Sequence, residues 1–417
     1  MLKPPVLLAT TISCFISILL ATSCTKPVQE DPGKFIAVTY PKGEINGLPV
    51  ENSVGSAGGT ITSADGKLKV SVPAGAVTNT TLVSIQEITN TLPLGAGPSY
   101  RVLPAGLTLS KPITITLSYD ETDLDGSDEN ALDLATQDDN GTWKRIKNTQ
   151  LNKAAKTLVV ESDHLGDYSF TGGYKLSPDK AALGQGESTV LTVSVLKEKN
   201  TEADEKEAEL GNFFIITNAG DIETWSARGE GQIVARGSTA EFKAPSPISG
   251  HVTTEVSASV RNVKRPGRLT SDKLVLRKKI TMSSDSFMAG YYDGVPFTCV
   301  GVSAFVASGV TVIQGATANN KSVLIFVNGT DVGSYSYGNP SEAGKAEIRC
   351  DLTGVIHETV YTLCGPPSST GYASGGMTIN NYQQGGVIAG NFTATLYDDI
   401  GCQLKTKKIT AAFRVKK

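Results

Sequence analysis

Apolar residues recur at every second position along much of this chain. Lys67-Leu68-Lys69-Val70-Ser71-Val72 places Leu68, Val70 and Val72 on one face, which is the period of a half-buried strand. From Ile113 to Tyr119, Ile113, Ile115, Leu117 and Tyr119 face one way and Thr114, Thr116 and Ser118 the other. That is a sandwich strand with one wet side. Leu191, Val193 and Val195 alternate with Thr192 and Ser194, Val252 to Val260 alternates throughout, and Ile409, Ala411, Phe413 and Val415 share a face. Runs at 310–314, 322–327, 333–337, 376–380 and 390–396 also read as strands. The pattern predicts an all-β chain of three tandem β-sandwich-like modules at 49–172, 173–281 and 282–417. One stretch breaks it: Lys197 to Glu209 is dense in Glu, Lys and Asp and reads as a short exposed helix or a loop.

The first residues follow a different rule. Lys3 precedes an apolar run from Val6 to Leu20, shorter than the ~20 residues a membrane-spanning helix needs. A basic start, a short apolar run and small residues mark a secretory signal. Its end, Leu19-Leu20-Ala21-Thr22-Ser23-Cys24, resembles the bacterial lipobox, with Ala21 where Leu is usual. The resemblance implies removal of residues 1–23 and lipidation of Cys24, so that the membrane is met through an N-terminal lipid. Thr25 after the Cys, by resemblance to enteric lipoproteins, implies the outer membrane, on its periplasmic or surface face. Residues 24–48, polar at the start with two prolines and a glycine, read as a lipidated Cys and flexible tether.

Composition adds less. The chain has 417 residues and a net charge of −3, and no basic stripe is visible, which excludes nucleic acid as a partner. Cys14 leaves with the signal and Cys24 takes the lipid. Cys299, Cys350, Cys364 and Cys402 all lie in the last third. A secreted context permits disulfides, so at least one is expected among these four, with the pairing open. No C-x-x-C spacing occurs, and neither a metal nor a cofactor is expected.

The order GGTI, DGKLKVSVPAGAV, YRVLPAGLTLSKPITITLSY, GTWKRI, HLGDYSF in 58–170 resembles the ZU-five domain, a β-rich module of ankyrins, netrin receptors and bacterial surface proteins. The resemblance implies an interaction module. Some relatives cut their own chain at His-Phe-Ser by an N-to-O acyl shift; here His164 is followed by Leu165-Gly166 and Ser169 is five residues away, so His164 is read as structural and the module as uncut. Asp120 to Glu129 invites a calcium-loop reading. Started at Glu121, however, it puts Leu132 at position 12, where a bidentate Glu is required. A solvated acidic turn is expected instead.

In the second module, Trp225-Ser226-Ala227-Arg228-Gly229-Glu230-Gly231-Gln232-Ile233 with the later Phe242-Lys243-Ala244-Pro245 resembles bacterial immunoglobulin-like domains. Trp225 would then fill the gap between the sheets. The ending GGMTINNY, GGVIAGNFTATLYD, KKITAAFRV resembles a C-terminal β domain of Bacteroidetes-type lipoproteins. His357, seven residues from Cys350 and from Cys364, is read as incidental, and His251 as a surface residue. The resulting expectation is a non-enzymatic envelope lipoprotein with no catalytic residues, a protein-interaction or adhesion module with a protein or surface partner. The alternative is an accessory glycan-binding surface lipoprotein, which needs exposed aromatic platforms. Modules standing in line would place 282–417 farthest from the anchor.

Overall fold

The computed structural model describes residues 35–416, apart from 37, 200–204, 249–250, 264–271, 285, 364–367, 374, 384–385 and 399–404. Cys24, Cys364 and Cys402 therefore lie outside the described residues. The fold is all-β, and its only helical turns among the described residues are two short 3-10 segments, Glu129–Ala131 and Ala219–Asp221. No helix among the described residues is long and apolar enough to cross a membrane.

Strand alternation translates directly into burial. In Leu68–Val72 and Ile113–Ser118 every second residue is buried, and the two strands pair antiparallel. Ile409, Ala411, Phe413 and Val415 enter the core of the last module on the strand Lys405–Lys416. Three main apolar cores result. The first holds Val54 to Phe170, the second chiefly Leu176 to Met282 and the third Met288 to Val415.

The modules are joined by more than linkers. In the first, a five-stranded sheet, Gly59–Thr62 to Gln150–Asn152, belongs to the same core as a larger sheet. That larger sheet does not stop at the module boundary. Trp143–Ile146, its last strand from the first module, pairs antiparallel with Glu207–Ile215 of the second, Glu207 opposite Ile146 and Glu209 opposite Lys144. One sheet therefore runs from Ile45–Val54 to Gln232–Arg236. The described ends of the charged stretch 197–209 are extended: the strand Ser188–Glu198 ends in it and Glu207–Ile215 begins in it. Its charges read as solvent-exposed, but several are cross-module partners. Arg145 donates to both oxygens of Glu198, at 2.8 and 2.5 Å. A fourth apolar cluster lies at this seam, with Trp143 packed among Leu92, Ala135, Leu196 and Leu210.

The third module does not extend the line. Its sheet runs from Val295–Cys299 to Gly301–Ala307, and it folds back on the other two. The Tyr397 hydroxyl donates to Asn46 Oδ1 at 2.7 Å, Tyr361 Oη accepts from the Gly47 amide, and the two tyrosine rings lie 4.2 Å apart. Burial and the nearby Glu87 charge hold the Tyr397 phenol well above its ordinary range. Buried Arg414 donates to Glu187 of the second module at 2.7 Å. Asn46 and Gly47 fall in the expected tether, yet the strand Ile45–Val54 already includes them. Upstream, Tyr40 is fastened by its amide to the Gly141 carbonyl at 2.8 Å.

Candidate functional site

The acidic segment Asp120–Glu129 sits where all three modules meet, on a cleft of about 1920 Å³. It starts where the strand Ile113–Ser118 ends and closes in the 3-10 turn Glu129–Ala131, which Asp128 caps by accepting from the Asn130 amide at 2.8 Å. Such a cap satisfies a donor that the turn leaves open.

Each of its six carboxylates is engaged. Lys67 Nζ reaches Asp120 at 2.9 Å and Asp123 at 2.8 Å. Lys408 of the last module binds the other oxygen of Asp123, whose side chain is fully buried. Lys278 of the second module binds Asp125, Lys156 binds Glu121 at 2.5 Å, Tyr119 donates to Glu129 at 2.6 Å, and the free oxygen of Asp128 accepts from the Val275 amide at 2.8 Å. The turn is therefore not the solvated one expected. Its charges are spent on three modules, and a calcium ion would have to displace lysines to use them.

Backbone geometry enforces the same contact. Gly126 donates to the Arg277 carbonyl at 2.8 Å and accepts from the Leu176 amide at 2.7 Å. Its φ is +86°, and a Cβ there would lie 2.5 Å from the Leu176 oxygen, so only glycine fits. Across the cleft, Gly97 has φ +63°, and a Cβ would meet Asp123 Oδ1 and Phe170 at 2.8 Å.

The electrostatics follow from proximity. Burial alone would lower the Lys67 pKa, but Asp123 and Asp120 outweigh it and hold the ammonium above its usual range. Burial would raise Asp120, but the charges of Lys408 and Lys67 pull it well below the ordinary carboxylate range. Burial and the charge of Lys278 push Lys175 down, against the opposing pull of Asp125.

The other expected site residues lie apart. His164 is half-exposed, stacks on Tyr168 with ring centroids 6.2 Å apart, and has Asp163 within 3.2 Å of Nδ1. Ser169 is buried, and its hydroxyl donates to the Pro98 carbonyl at 3.3 Å, so it does not face His164. His251 is exposed and edges against Phe287 at 5.4 Å. His357 is directly opposite Cys350 across the Lys345–Asp351 strand pair, and both are buried. Cys299 and Cys350 are free thiols, and no disulfide occurs among the described residues. Burial pushes Cys299 up to about 11 and Cys350 up to about 12, which withholds the reactive thiolate.

Trp225 meets its expectation only in part. Its strand, Ile222–Arg228, is the edge of a four-stranded sheet, so the indole is only half-buried: it packs against the margin of that module's core and donates Nε1–H to the Gly237 carbonyl, in a turn of the other sheet, at 3.3 Å. The fully buried aromatic of that module's core is Phe242. Trp143 is buried at the seam, its Nε1 donating to Thr91 at 3.2 Å. Neither indole is a free sugar platform. Sequence reasoning missed Lys67, Lys408 and Asn46. Lys67 follows a turn and Lys408 lies 285 positions from Asp123, and nothing local marks either.

Comparison with known protein families finds no family model that matches the chain, and comparison with characterised proteins finds no match.

Proposed function

We propose that the chain is a non-enzymatic lipoprotein of the outer membrane, anchored through Cys24, whose three β modules act as one rigid interaction or adhesion body for a protein or surface partner. The observation that supports this most is the junction. Asp120–Glu129 commits its carboxylates to lysines and backbone donors of all three modules, which fixes the modules against one another. Groups held in that way serve rigidity, and a rigid surface loses little conformational entropy when it binds. The ZU-five-like and immunoglobulin-like motifs fit the same reading, since such modules serve contact and spacing. On this reading any disulfide of the last module involves Cys364 or Cys402.

The anchor is tested in the producing cell. Cys24→Ala should abolish fatty-acid labelling and move the protein out of the membrane fraction. Label retained on that variant would show that Cys24 is not the lipidated residue. With the anchor established, the intact chain is the bait for the partner, because cutting at 281 would strip Tyr361 and Tyr397 from Asn46 and expose a surface that is covered in the whole protein.

A further inference from the structure

The last sheet ends on a strand with one unpaired edge among the described residues. The strand Gly301–Ala307 pairs with Val310–Ala316 and, among the described residues, with no other strand. Among the described residues no strand is hydrogen-bonded to its other side, although Phe287–Tyr292 and Lys405–Lys416 pass near it, and an unpaired edge is a template for another strand that proteins usually blunt with charge, proline, bulges or shortness. The remaining edges here are blunted. Ile45–Val54 carries Glu51 and a register shift, Gln232–Arg236 carries Arg236, Ile222–Arg228 carries Glu223 and Arg228, Val295–Cys299 carries Pro296, and Tyr174–Pro178 carries Lys175 and Pro178. Other edges are four residues or fewer. Gly301–Ala307 is seven residues long, and no charged residue occurs from Pro296 to Asn320.

Apart from Ser303, the exposed side chains of this strand are also apolar. Phe305 is 53% exposed and the preceding Val300 68%. Val302 and Ala304 turn inward and pack on the core, which holds the strand in place and fixes its register.

We infer that this edge pairs with the same edge of a second copy, antiparallel about a two-fold axis at Ala304. A two-fold interface sets each residue against its counterpart. With Ala304 on the axis, Ser303 faces Phe305, Val302 faces Val306 and Gly301 faces Ala307. Small residues sit at the centre, a small side chain opposes the large ring, and no like charges meet. An edge carrying a lysine near its axis would repel its own copy, whereas this one does not. The pairing joins two ten-strand paths into one continuous sheet and does not depend on the lipid anchor.

The test is sedimentation equilibrium of the full chain in density-matched detergent. The native chain should give a dimer mass. Both Ser303 and Phe305 are exposed, so substitution there spares the core. S303K/F305K sets lysine against lysine twice and should weaken the dimer at least ~10-fold. S303K/F305E sets lysine against glutamate in the same two places and should restore the dimer, with a salt dependence the native chain lacks. Circular dichroism of both variants should match the native strand signal. A native chain that stays monomeric, a lysine pair that leaves the dimer intact, or a charge-swapped pair that fails to restore it would each overturn the inference. Association with an unrelated extended peptide but not with a second copy would overturn it too.

Discussion

Asp123→Ala should destabilise the protein by about 3–5 kcal/mol, the cost expected when one partner of a buried ion pair is removed. The carboxylate is fully buried and bridges Lys67 and Lys408, and it also accepts from the Asp120 amide at 2.9 Å. Removing it leaves the mostly covered Lys408 ammonium and a main-chain donor without their acceptor, and Lys67 with Asp120 alone. Urea unfolding at neutral pH measures the change, and a loss below about 1 kcal/mol would show that the pairs are solvent-screened after all.

The pH dependence of the junction has a defined sign. The Asp120 pKa in the folded protein lies below its unfolded value, so its contribution is complete above about pH 4 and is lost as pH falls through the folded value. The Lys67 pKa lies above its unfolded value, so its contribution is complete below about pH 10 and is lost as pH rises through the folded value. The stability advantage of the native chain over Asp120→Asn should be constant between about pH 5 and 9 and shrink in stronger acid.

Trp143→Ala should cost about 3–5 kcal/mol, as large aromatic truncations in a closed core do. The ring touches both modules that share the long sheet, packing with Leu92 and Ala135 on one side of the seam and Leu196 and Leu210 on the other. Its loss opens a cavity and also frees the indole's partner, Thr91. Trp143→Phe keeps most of the volume and should cost markedly less. Equal losses for the two variants would place the energy in the Nε1 hydrogen bond instead of the packing.

What could be read from the sequence was periodic. Leu68–Val72, Ile113–Ser118 and the final strand show a side-chain alternation that needs one buried face, and each has it. The three module cores follow from the same signal. What could not be read was how the modules meet. Glu207 to Glu209 reads as part of a solvated charge run, because the backbone that pairs with it, Lys144–Ile146, lies some 60 residues earlier. Asp120–Glu129 reads as a wet turn, because its cations come from residues 67, 278 and 408. Asn46 carries no sequence signal at all, since its partners Tyr361 and Tyr397 are more than 300 positions away. Trp225 packs against its core yet stays half-buried, because a strand's membership of a sheet edge is set by pairing order, which a local motif does not encode.

Calorimetry of the full chain tests most directly whether the three modules form one body. If the shared sheet, the Asp123 bridge and the Asn46 tyrosine contacts couple them, heating should give a single transition with equal calorimetric and van't Hoff enthalpies. Two or three resolved transitions, with 282–417 melting separately while the rest stays folded, would contradict the account.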